Sequence, residues 1–129
     1  MPHILIIEPD LVLSVNLKEY FKPAGFSVSA HADPQAALSA ADQLRPDVVI
    51  TELQLAGRSG VEFLYEFRSY PDWQDTPLII HTSLHPDQIS KHTEVLTDLN
   101  ISACLYKSDT NLQVLLENVR QFQPAHAKI

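Results

Sequence analysis

Basic residues are scarce in this chain of 129 residues, with 9 Lys plus Arg against 16 Asp plus Glu and a formal net charge of −7. An acidic chain without a Lys/Arg stripe repels phosphate backbones, which argues against direct nucleic-acid binding. Cysteine is nearly absent. Cys104 alone excludes an intrachain disulfide and a Cys-based metal cluster. The 6 histidines form neither an HxH nor an HExxH pattern. No apolar run approaches the ~20 residues that span a bilayer. The start, Met1-Pro2-His3, lacks the basic head and apolar core of a signal peptide. These absences predict a cytoplasmic protein with neither a nucleic-acid nor a membrane partner.

What the chain does have is a globular share of apolar residues, 45%, at a length that buries a real core. Ile4-Leu5-Ile6-Ile7, Asp47 to Thr51, and Leu78 to Thr82 are short apolar runs. Such runs read as strands buried on both faces. Phe26 to Ala30 and Ala103 to Tyr106 are two further, weaker strands. Between them lie helical patterns. Leu13, Leu17, Tyr20 and Phe21 mark the first helix, with Pro9-Asp10 at its entry and Pro23 and Gly25 at its end. Asp33-Pro34 supplies a cap and a first-turn proline for an alanine-rich second helix reaching about Leu44. Val61, Phe63, Leu64 and Phe67 define a third helix after a loop from Gln54 to Gly60. Ile89, Leu96 and Leu99 mark a fourth. Leu112, Leu115, Leu116, Val119 and Phe122 give a strong fifth. The connection Tyr70 to Thr76 is polar, and Gln123 to Ile129 reads as a frayed tail.

Five strand–helix repeats with continuously apolar strands imply an α/β fold: a five-stranded parallel sheet, doubly wound, in a flavodoxin-like order 2-1-3-4-5. The expectation is one domain over residues 1–129, with its core from 4 to 122. In such sheets, ligands gather beyond the carboxyl ends of the strands where the winding reverses. That rim collects Glu8 and Asp10 from the first strand, Glu52 from the third, Thr82 from the fourth and Lys107 from the fifth. Carboxylates, a hydroxyl and an ammonium suit phosphoryl transfer. One carboxylate takes the group, acids hold Mg²⁺, and the hydroxyl and ammonium bind the phosphoryl oxygens.

Here the sequence resembles the response-regulator receiver family of two-component phosphorelay signalling, from about Ile4 to Phe122. The resemblance is carried by "ILIIEPD", "RPDVVITELQLAGRSGVEFLYEFR", "TPLIIHTS" and "ACLYKS", in order and at the family's spacings. It implies that Glu52 occupies the phosphoacceptor position, that Glu8 and Asp10 form the acidic pocket, and that Thr82 and Lys107 are the switch and phosphate-binding positions. Four departures surround that rim. Pro9 stands where the family has a second, metal-ligating acid. Glu52 is one methylene longer than aspartate. Ser108 replaces a proline, and Cys104 replaces the aromatic switch residue. Glu8, Asp10 and Glu52 are thus weak candidates for Mg²⁺, and no cofactor is expected. The longer Glu52 side chain is expected to pair directly with Lys107.

The reading is a stand-alone receiver-like signalling domain, not an enzyme, atypical at its acceptor position and acting through protein–protein contact. The expected partner is a histidine kinase or a downstream effector, met through the face of helix four, strand five and helix five; a homodimer is compatible with it. The start at Met1 and the short tail suggest a complete small protein or a trimmed N-terminal module. The alternatives are a purely structural interaction module and a small phosphate-handling enzyme on the same fold. The enzyme lacks support: with 3 glycines there is no Gly-rich phosphate loop and no nucleophile elbow. Cys104 is expected in the core, and His81, His85 and His92 are not expected to bind metal. Phe63, Tyr65, Phe67 and Tyr70 read mostly as packing, with Tyr65 off the core stripe.

Overall fold

Residues Ile4 to Ile7 are all buried because both faces of their strand are covered. A computed structural model of the chain describes residues 1–55 and 58–124. In chain order its elements are β1 (His3–Ile7), α1 (Leu11–Phe21), β2 (Ser27–His31), α2 (Pro34–Gln43), β3 (Val48–Thr51), β4 (Gln54–Leu55), β5 (Arg58–Ser59) and α3 (Gly60–Ser69). There follow β6 (Leu78–Thr82), α4 (Pro86–Ile89), α5 (Thr93–Asp98), β7 (Ala103–Tyr106) and α6 (Leu112–Phe122). The main sheet runs β2-β1-β3-β6-β7, all parallel, which is the order expected from the sequence.

Alternation along the strands splits the core in two. Leu5, Ile7, Val49, Leu78 and Ile80 pack against α2 and α3. Ile4, Ile6, Val48, Ile50 and Ile79 pack against α1 and α6 with Phe21, Leu115 and Val119. The Asp33 cap read from the sequence is present: its carboxylate accepts the Ala36 amide at the start of α2. The structure adds a second cap, Asn111, which accepts the Val114 amide at the start of α6.

Three expectations change. The Gln54–Gly60 segment is not all loop: β4 and β5 pair as an antiparallel hairpin, and Gly60 opens α3. Gly57 lies outside the described residues, as do residues 125–129 of the expected tail. Gly60 is there for space, since a Cβ would stand 2.5 Å from the Leu53 backbone. The expected fourth helix is broken into α4, a 3₁₀ turn at Ser90–His92, and α5, and α4 and α5 contain no buried residue. Ser90, Thr93 and Thr97 each donate a side-chain hydroxyl to a backbone carbonyl three or four residues earlier, which competes with helical order. Cys104, expected in the core, is exposed. Ala103 and Leu105 face α6, so Cys104 faces the other side of an edge strand, which α5 is too short to cover. It lines a shallow groove of about 170 Å³ with Leu96 and Ile101.

Candidate functional site

The parallel ladder carries the rim together. The Glu8 amide donates to the His31 carbonyl and the Glu52 amide to the Ile7 carbonyl, one residue past the strand ends. Ile7 pairs with Thr51, so Glu8 and Glu52 stand side by side. Thr82 pairs with Tyr106, which brings Lys107 up beside them. Glu8 and Glu52 are each only 2% exposed, so their charges demand partners.

Lys107 supplies one. Its Nζ lies 2.7 Å from Glu8 Oε1 and 3.0 Å from Glu52 Oε1, so the pair expected from the sequence is made and shared with Glu8. Two carboxylates on one ammonium leave a net negative charge, and N–H and O–H donors answer it. Glu8 Oε2 accepts the Asp10 amide at 3.0 Å. Glu52 Oε2 folds back to accept its own chain's Leu53 amide at 2.6 Å and Gln54 amide at 3.1 Å. Glu52 Oε1 crosses to β6 and accepts the Ser83 amide at 2.9 Å and hydroxyl at 3.2 Å. The Thr82 hydroxyl also bonds the Glu52 carboxylate and accepts the Leu84 amide at 3.1 Å. Burial by itself would raise the Glu52 carboxyl, but Thr82, the Ser83 and Gln54 amides and Lys107 hold it down at about 2. Burial likewise works against the Lys107 charge, and the two glutamates outweigh it, so its pKa is raised.

The acidic pocket is smaller than expected. Asp10 does not join it: the turn at Pro9 aims its carboxylate outward, where it accepts the Val12 and Leu13 amides and caps α1. Each carboxylate oxygen at the rim already accepts a donor, and an ammonium stands between them. This is not the open set of oxygens that an octahedral Mg²⁺ requires. Among the described residues no group of three or more His, Cys, Asp or Glu could hold a metal ion.

Sequence reasoning missed Ser83 and Gln54. Ser83 gives Glu52 two donors, and its hydroxyl also lies 2.9 Å from Gln54 Oε1. The only signal was the Thr82-Ser83 pair at a strand end. His81 is also part of the setting. It is 4% exposed, and its Nδ1 has no partner among the described residues. Burial and then the Lys107 charge push its imidazole down to about 4, against the opposing pull of Glu52. Although Cys104 lies open on one side, the protein packed around its other side and then the Glu52 charge push its thiol up.

A doubly wound parallel sheet with an acid pair, a hydroxyl and a lysine on its carboxyl rim is the α/β class of signalling fold that the sequence resemblance implied. The response regulator receiver domain model matches residues 4–120, and the chain belongs to that family. It is 30% identical over 122 residues to the transcriptional activator protein PfeR of Pseudomonas aeruginosa, covering 92% of this chain and 39% of that protein. It thus spans well under half the length of that relative. Its fold matches the chemotaxis protein CheY4 of Vibrio cholerae (TM-score 0.83, 22% identity, 95% and 98% of the two chains). It also matches a sensor protein from Polaromonas (TM-score 0.85, 18% identity, 94% of each). Membership of that family places the chain in two-component signalling, whose receiver domains meet histidine kinases and effectors.

Proposed function

We propose that this receiver domain works without regulated phosphorylation, as a module that signals by binding a protein partner. The observation that carries this reading is the state of Glu52. Its two oxygens accept Leu53, Gln54, Ser83, Thr82 and Lys107. The donors that would receive phosphoryl oxygens are occupied by a carboxylate already on the chain. Weak or lost Mg²⁺ binding follows, because Pro9 supplies no ligand, Asp10 is committed to α1, and Lys107 lies between the two remaining acids. The partner, a histidine kinase or an effector, would meet the face of α4, α5, β7 and α6. That face is supported as a contact surface by the absence of buried residues from α4 and α5 and by the exposure of Cys104.

The test is incubation with acetyl phosphate, and separately with beryllofluoride, each with Mg²⁺, read by intact mass and amide NMR. No phosphoryl adduct and no shift of Leu53, Ser83 or Lys107 is expected. The double change Pro9→Asp with Glu52→Asp should restore both responses. An adduct mapped to Glu52 in the unaltered protein would overturn the reading.

A further inference from the structure

His85 stands at the junction between β6 and α4. Its Nδ1 accepts the Asp87 amide at 3.1 Å, and its own amide donates to Gln88 Oε1 at 3.1 Å, a reciprocal cap on α4. Its ring lies edge-on to Tyr106, with centroids 5.7 Å apart, at the end of β7 next to Lys107. Histidine is an unusual cap. Serine, threonine, aspartate or asparagine normally fill this place, and asparagine, serine and threonine do so without titrating near neutral pH.

We propose that His85 is a proton-sensitive latch that sets the start of α4. The cap requires an Nδ1 lone pair, so only the neutral ring bearing its hydrogen on Nε2 makes it. Protonation places a hydrogen on Nδ1, facing the Asp87 N–H, and the cap is lost. The proton has an acceptor at hand, because Asp87 Oδ2 lies 3.5 Å from Nδ1. The ring then exchanges a backbone bond for an ion pair with the same residue, and the first turn of α4 gives up its anchor. Nothing in the core resists that change, since α4 buries no residue.

Among the described residues, Asp87 is the charged group facing the ring from α4, and Tyr106 the titratable one from β7. Ser83 and Leu84, from the preceding connection, carry no charge. Lys107, one residue past Tyr106, is committed to Glu8 and Glu52. The segment between β6 and α4 is therefore held at two points: Ser83 by Glu52, and His85 by its cap. This inference does not depend on whether Glu52 accepts a phosphoryl group.

The experiment is an NMR titration of the whole chain from pH 8 to pH 5, following the His85 ring, the Asp87 and Gln88 amides and the Tyr106 ring. All four are expected to shift with one midpoint, and amide protection at Asp87 should fall about fivefold, the size of a typical N-cap contribution. His85→Asn keeps an acceptor that does not titrate, so protection should persist and the coupled shifts should vanish. His85→Ala should show the low-pH behaviour at every pH. An Asp87 amide insensitive to pH in the unaltered protein would overturn the latch, as would the same pH response surviving in His85→Asn.

Discussion

At the level of single residues, the extra methylene of Glu52 decides the character of the rim. It lets one carboxylate reach its own Leu53 and Gln54 amides on one side and Ser83 and Lys107 on the other. Lys107 then holds two glutamates that are almost fully buried. Removing it leaves uncompensated buried charge, which costs far more than the pair itself contributes. Lys107→Met is expected to destabilise the fold by about 3–5 kcal/mol in urea unfolding. Adding Glu52→Gln should return a large part of that loss, because the amide removes one stranded charge. Equal stability of Lys107→Met and the unaltered protein would show that the ammonium is not needed to hold the rim. Glu8, Glu52 and Lys107 were legible in the sequence because each ends an apolar strand. Asp10 was not, because an acid after a strand serves a pocket or a helix cap equally well until the turn at Pro9 is seen. Ser83 was missed because a second hydroxyl after Thr82 carries no periodic signal.

Among the elements, legibility followed burial. β1, β3 and β6 are apolar throughout because helices cover both faces, and the sequence shows it. α6 shows its stripe because Leu115, Leu116 and Val119 all point inward. The segment from Pro86 to Asp98 lacks such a stripe, and hydroxyl-to-carbonyl bonds break it into pieces. Cys104 was misread for a related reason. Alternation says that Ala103 and Cys104 face opposite ways, but not that the second side lies open at a sheet edge. The same weakness has a dynamic consequence. Local stability tracks buried apolar contact, so native-state hydrogen exchange should rank α4 and α5 well below α6. Amides of Thr93–Asp98 are expected to exchange through local opening at least ~1.4 kcal/mol cheaper, tenfold faster, than those at Leu115–Val119. Equal protection in the two segments would mean that α5 is anchored by contacts other than packing.

For the whole molecule, the buried ionisable groups fix how the fold answers acid. His81 is held down at about 4 and His3 is also lowered, chiefly by burial. The unfolded chain protonates these rings below about pH 6.5, while the folded chain resists, so the unfolded state binds more protons and stability falls as pH drops from 6.5 toward 4. Glu52 acts in the next window. Its carboxyl is held at about 2 against an ordinary 4.5, so its contribution is complete above 4.5 and is lost as pH falls through 2. Each shift of His81 and Glu52 corresponds to about 3 kcal/mol at most. The Glu52 charge itself acts on His81, so the two do not add, but either is a sizeable share of the about 5–15 kcal/mol that stabilises an ordinary domain. Urea unfolding followed from pH 7 to pH 3 should therefore show a continuous decline with no plateau near pH 5. His81→Leu should flatten the part above pH 4 without abolishing it, since His3 still contributes, and should leave the loss below 4.5 to Glu52. A profile for His81→Leu that keeps the full slope between 6.5 and 4 would assign that loss to other groups. A flat profile in the unaltered protein down to pH 4 would mean that both rings take up protons in the folded state as readily as in the unfolded one.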